Sequence, residues 1–279
     1  MLKQRVITAI VLLVGLSAAL ALMDLAAWSW LVAVVLGFAG WEWARLGGAG
    51  PMPARIAGVL AFAVVALSAQ WTFGPDGVRA GAVGRLTALH GVAVLFWLFT
   101  VPAWMSRAAR PTALVHGLTG FIVLLPPALA LIQLRAVGVL PLLLLMAVVW
   151  IADIAAYFSG RALGRHKLAP SISPGKTWEG AFGGAVAVQV YGFAIRPLLA
   201  DSGLVLPSVA VWAGVLLLLT AVSVVGDLFE SMLKRQAGMK DSSQLLPGHG
   251  GVLDRVDSLT ATLPLIGLYL LTLNSGTLH

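Results

Sequence analysis

Between Ser231 and Asp257 the chain reads SMLKRQAGMKDSSQLLPGHGGVLDRVD, set between two long apolar runs. Only 10% of all residues are charged, yet Lys234, Arg235, Lys240 and Arg255 stand here among Asp241, Asp254 and Asp257, with Asp227 and Glu230 just upstream. Charge next to a bilayer is costly, so such a cluster marks a functional site. The mixture is informative: carboxylates suit a hard divalent cation, while Lys, Arg and a glycine turn suit phosphates. Asp227, Glu230, Ser231 and Lys234 recur at i, i+3, i+4 and i+7, one stripe of a helix. Asp227 and Asp254 are the expected cation ligands, since magnesium takes one or two carboxylates and completes its shell with water and substrate phosphate. Zinc is poorly supported, because the five histidines show no ligand spacing. The absence of cysteine removes thiolate sites, thiol catalysis and disulfides. In Pro247-Gly248-His249-Gly250-Gly251 the glycines let backbone approach a ligand. His249 is open to phosphate contact, proton transfer or a role in the turn. A solvated linker is the bland alternative; Asp227 inside an apolar run and the Asp-Arg-x-Asp entry at Asp254 weigh against it.

A second polar segment, 160–180, follows an apolar run that contains Asp153. On a helix, Asp153, Tyr157 and Arg161 share a face. Asp153 has two readings, a helix–helix hydrogen bond or pairing with Arg161 on one side, substrate or cation contact on the other. Ser173-Pro174-Gly175-Lys176-Thr177 is not a P-loop, because position 170 is proline where that pattern needs glycine. Its chemistry still suits phosphate: Ser173, Thr177 and free amides donate, and Lys176 supplies charge. Helix capping, with Ser173 as N-cap and Pro174 in the first turn, is the structural alternative.

The elements that must carry these residues are membrane helices. The chain is 59% hydrophobic, with a mean hydropathy of +0.96. Nine apolar runs approach bilayer-spanning length, at 6–22, 26–43, 56–73, 88–105, 113–133, 138–158, 181–199, 209–228 and 259–273. Backbone in hydrocarbon must satisfy itself, and no alternating ten-residue strands suggest a barrel. The expected fold is therefore an all-α integral membrane protein, a polytopic bundle of about nine transmembrane helices with a cytoplasmic N-terminus. Alternating nine spans puts fourteen Lys and Arg inside and four outside, namely Arg79, Arg85, Arg135 and Arg196. The net charge of +7 thus reflects topology and anionic headgroups or substrates, and there is no nucleic-acid motif. The first run could serve as a signal peptide ending near Ala19-Leu20-Ala21. The tight turn at Met23-Asp24 and the next apolar run favour a retained helical hairpin. Trp28, Trp30, Trp41 and Trp43 bracket the second run like an interfacial belt. Positions 1–134 form an N-terminal transmembrane region of about five helices; 138–279 form the catalytic region, with polar segments 160–180 and 230–257.

At these residues the chain resembles the phosphatidate cytidylyltransferases, or CDP-diacylglycerol synthases. The family signature is matched by Ser231, Lys234-Arg235, Lys240-Asp241, Ser243, Pro247, His249-Gly250-Gly251, Asp254-Arg255 and Asp257, and the upstream motif by Ser173 to Gly180. The matching motifs lie within 153–257, and the first half shares only its run of apolar helices. The resemblance implies transfer of a cytidylyl group from CTP to phosphatidate, releasing pyrophosphate, with Mg2+ and one or two cations acting. It implies a bacterial-type inner-membrane protein of phospholipid synthesis, a homodimer, with its site on the cytoplasmic side. Asp227, Asp254 and Lys234 would be catalytic, the two aspartates holding the metal. Substrate contacts would come from Ser173, Lys176, Thr177, Ser231, Arg235 and Lys240, and from Asp241, His249, Gly250, Gly251, Arg255 and Asp257. Two rival families fit less well. A CDP-alcohol phosphotransferase needs Asp-Gly-x-x-Ala-Arg, and Asp153 is followed by Ile154. A cation-coupled transporter would show inverted repeats, against the charge asymmetry here.

Overall fold

In the computed structural model, residues 2–273 are described. Met1 and positions 274–279, the end of the 138–279 region, lie outside the described residues. The first helices run α1 (Leu2–Leu22), α2 (Leu25–Leu46) and α3 (Pro51–Thr72). The fourth span is α4 (Val83–Leu95), a π-helical turn at Phe96–Thr100 and α5 (Val101–Arg107). Then come α6 (Ala113–Val137), α7 (Val139–Leu163), α8 (Trp178–Asp201), α9 (Val209–Gln236) and α10 (Leu253–Leu273). Among the described residues, eight helical stretches are long and apolar enough to cross a membrane. The ninth, α10, bears Asp254, Arg255 and Asp257 in its opening turns. The chain is a polytopic all-α membrane protein.

Among the described residues, two small hairpins stand between the helices. β1 (Phe73–Gly74) pairs with β2 (Gly77–Val78), and β3 (Lys167–Ala169) pairs antiparallel with β4 (Ser173–Thr177). Ser173 therefore begins a strand and does not cap a helix. The N-cap of α8 is Thr177, whose hydroxyl accepts from the Gly180 amide at 3.2 Å. Pro174 cannot donate to a ladder but is tolerated in a two-stranded edge, so the hairpin holds Lys176 in an extended chain.

Small residues let α7 and α8 approach closely. A Cβ on Gly180 would lie 2.8 Å from the Ala156 carbonyl, and one on Gly184 3.0 Å from the Ala152 carbonyl. The tryptophans divide: Trp30 is exposed, but Trp28 and Trp43 are core residues. Trp43 stacks on His116 with ring centroids 4.6 Å apart and donates to the His116 carbonyl at 2.9 Å. Packing, not interfacial anchoring, explains this pair.

The polar segments share one end of the bundle. The Thr8 hydroxyl of α1 donates to the Pro247 carbonyl at 3.0 Å, and the Gln236 amide at the end of α9 reaches the Ala108 and Ala109 carbonyls. At the far end, Arg135 donates to the Met23 carbonyl at 2.8 Å. α10 packs against α4, α6 and α9, which ties both halves of the chain into one core.

The contact that aligns the site is between α9 and α10. A Cβ on Gly226 would lie 2.8 Å from the Asp257 carbonyl and 2.9 Å from the Ala261 Cβ. Overpacking of this kind typically costs ~1–3 kcal/mol. Gly226→Ala should lower the thermal unfolding midpoint of the detergent-solubilised protein; an unchanged midpoint would contradict this contact.

Candidate active site

A cavity of about 710 Å³ opens between α7, α8, α9 and the start of α10. Asp153, Lys176, Asp227, Lys234, Asp254 and Asp257 all line it, so residues far apart in the chain share one polar chamber. Ser173, Thr177, Asp241 and Arg255 line it as well. Ala152, Ala156, Tyr157 and Ala181 give it an apolar flank, and Phe158 and Phe182 beside it are exposed on the helix surface.

Both lysines of the chamber are paired with carboxylates. Lys176 from β4 meets Asp227 from α9 at 2.6 Å. The other oxygen of Asp227 accepts from the Ser231 hydroxyl, one helical turn on, at 3.2 Å. Lys234, two turns beyond Asp227, lies between Asp254 at 2.6 Å and Glu230 at 3.2 Å. The second oxygen of Asp254 accepts from the Ser242 amide, the Ser242 hydroxyl and the Gly251 amide, each at 2.8 Å. Asp254 thus both faces the cavity and pins the preceding loop. Asp153 forms no ion pair with Arg161, which instead donates to the Tyr157 hydroxyl at 3.2 Å. Glu179 points to the hairpin, accepting from the His166 amide and ring. Among the described residues, no three Asp, Glu, His or Cys side chains converge closely enough to hold a metal unaided.

Lys240, His249 and Gly250 face a second polar cavity, of about 800 Å³. Asp241 and Arg255 border both chambers. Ser231, Arg235 and Gly251 line neither: Ser231 supports Asp227, Arg235 is exposed, and Gly251 is buried. The glycine turn approaches protein carboxylates closely. Gly250 has φ +80°, and a Cβ there would lie 2.7 Å from Asp254 Oδ2. A Cβ on Gly251 would strike Ser242 Oγ and Glu42 Oε1.

Glu42 is the residue that motif reading missed. It lies in α2, fully buried, and both its oxygens are used. One accepts from the Ser243 hydroxyl at 2.5 Å and the Val252 amide at 2.9 Å, the other from the Leu253 amide at 2.7 Å and the Ser242 hydroxyl at 3.1 Å. A helix in the N-terminal half thereby anchors the middle and the end of the segment between α9 and α10, and caps the start of α10. A signal was present: a lone acid inside an apolar run, flanked by Trp41 and Trp43, calls for a partner.

A membrane-embedded chamber that pairs lysines with aspartates beside an apolar flank defines a class: an enzyme that handles phosphates at a bilayer surface. The particular family follows from comparison. The family model described as "Cytidylyltransferase family" matches residues 3–273. The phosphatidate cytidylyltransferase of Pseudomonas aeruginosa is 41% identical over 278 residues, covering 97% of each chain. That of Haemophilus influenzae is 37% identical over 96% of this chain and 98% of its own. That of a Synechocystis species is 40% identical over 190 residues, 64% of this chain and 60% of its own. The chain belongs to the cytidylyltransferase family, and the likeness extends through the N-terminal helices that carry no motif.

Removing the Glu42 carboxylate would leave buried donors without an acceptor, at ~1–3 kcal/mol for each. Glu42→Ala should therefore lower the unfolding midpoint and expose the 239–252 segment to limited proteolysis. Glu42→Gln, which keeps one acceptor oxygen, should fall between. Equal protection of the loop in all three proteins would contradict the anchoring role.

Proposed function

We propose that this protein transfers the cytidylyl group of CTP to phosphatidate, giving CDP-diacylglycerol and pyrophosphate. Family membership and full-length similarity to phosphatidate cytidylyltransferases support the reaction. The observation that carries the mechanism is the shared chamber, in which Lys176–Asp227 and Lys234–Asp254 meet next to an apolar wall.

The phosphatidate phosphate is already an anionic nucleophile, so no strong base is needed. One of its oxygens forms a bond to the α-phosphorus of CTP, and the bond from that phosphorus to the bridging oxygen breaks in line. The leaving pyrophosphate keeps the electron pair. Two polyanions must meet, and the barrier is largely their repulsion, so positioning and neutralisation dominate. Lys176, held extended by β4, and Ser173 would fix the lipid phosphate. Lys234 would face developing negative charge while Glu230 and Asp254 orient its ammonium. Tyr157 and the small residues of α7 and α8 would leave room for acyl chains to reach the bilayer.

The donor set fits a hard cation. Asp227 and Asp254 each present an oxygen that already holds a cationic partner, an ammonium at 2.6 Å. Magnesium would be held by these two aspartates with water and substrate phosphates completing its shell. When bound it would supply charge neutralisation on the phosphates. The proposal also places the site at the cytoplasmic face of a bacterial-type inner membrane, supported by the fourteen-to-four distribution of basic residues. It carries the homodimer implied by the family resemblance.

Purified protein in detergent should release pyrophosphate when given CTP, phosphatidate and Mg2+. Chelation should abolish the release and added Mg2+ should restore it. Asp227→Asn and Asp254→Asn should each reduce turnover by about 100-fold or more. Near-normal rates in folded variants would overturn the assignment of these carboxylates.

A further inference from the structure

The second cavity has features that the proposed transfer does not yet use. Its wall combines Lys240 and His249 from the α9–α10 segment and Arg255 from the first turn of α10 with Gln4 and Arg5 from the first turns of α1. Among the described residues, Arg5, Lys240 and Arg255 form no ion pair, and Asp241 is the single acid facing them. The first cavity is built differently, with its lysines bound to carboxylates. A chamber left with excess positive charge favours a polyanion. The His249 Nδ1 is buried and has no hydrogen-bond partner, a polar atom still to be satisfied.

Arg5 is held where it can take part. The Thr8 hydroxyl donates to the Pro247 carbonyl at 3.0 Å, one turn along α1. Gly248, at φ +75°, lets the loop pass the Arg5 side chain; a Cβ there would come within 2.8 Å of Arg5 Cγ. The glycine turn therefore makes room for an arginine from the opposite end of the sequence. Asp241 and Arg255 border both chambers, so a molecule spanning that boundary could place different phosphates on either side.

We propose that the second cavity is a diphosphate subsite, receiving the β- and γ-phosphates of the nucleotide and retaining them as pyrophosphate after transfer, with Arg5 as one of its ligands. This rests on the reaction proposed above. The lipid phosphate belongs in the first cavity, whose flank is apolar and opens beside exposed Phe158 and Phe182. The second is polar apart from Leu246 and Pro247 and offers acyl chains no bed. The arrangement separates the two products, lipid toward the bilayer and pyrophosphate toward the α1 side.

Pyrophosphate binding to the full-length protein, measured calorimetrically without CTP or phosphatidate, reads the subsite alone. Wild type should bind pyrophosphate, and pyrophosphate should inhibit the reaction competitively with CTP. Arg5→Gln should weaken pyrophosphate binding about tenfold, the loss of one charge-assisted contact, and raise the KM for CTP with the KM for phosphatidate unchanged. Arg5→Lys should recover part of the affinity. Should Arg5→Gln fail to fold, Lys240→Gln on the exposed loop should show the same selective loss. Unaltered pyrophosphate affinity in a folded variant would overturn the subsite. So would a change confined to the phosphatidate dependence, which would assign Arg5 to a lipid headgroup. Failure of wild type to release any pyrophosphate would strike the proposed reaction instead.

Discussion

Desolvation governs this structure: a charge at the edge of hydrocarbon must meet its opposite or accept several hydrogen bonds. Three carboxylates at the site follow this rule. Asp227 has Lys176 and Ser231; Asp254 has Lys234, Ser242 and the Gly251 amide; Glu42 has two hydroxyls and two amides. Each pair also joins two segments that would otherwise be independent. Lys176–Asp227 ties the β3–β4 hairpin to α9, and Lys234–Asp254 ties α9 to α10. The electrostatics that would stabilise reacting phosphates thus also hold the site together.

A site poised in this way can exchange partners. An ammonium beside a carboxylate is released to a phosphate only if something else satisfies the carboxylate. A divalent cation arriving with a nucleotide would satisfy both demands at once. The loop needs no such exchange, because Glu42 and the second oxygen of Asp254 bind it through backbone and serine donors. Mobile charge and fixed scaffold are therefore assigned to different atoms, in Asp254 to the two oxygens of one carboxylate.

Much of the architecture was legible in the sequence because apolar runs near 20 residues admit almost one solution in lipid. Among the described residues each of the nine runs falls on a long helical stretch, and Asp227, Glu230, Ser231 and Lys234 do share a helical stripe. The Ser173–Thr177 strand was not legible. Its pairing with Lys167–Ala169 depends on a short turn between two helices, and Ser173 followed by Pro174 also suits a helix cap. Glu42 was hidden for a different reason: its partners are backbone amides and serines in another half of the chain, and such donors leave no motif. Trp43 misled because an aromatic near a span end packs or anchors according to neighbours such as His116 that periodicity does not supply. Arg5 stands in the sequence just before the first apolar run, and only the fold brings it beside Gly248.

The separation between Glu42 and its partners, from 200 to 211 positions along the chain, bears on how the protein is made. Membrane helices enter the bilayer in the order of their synthesis, so α2 arrives long before the ribosome has produced Ser242 or Leu253. Until then its carboxylate has none of the donors that will later surround it. The site can close only when α10 docks, which makes this helix the latch of the set.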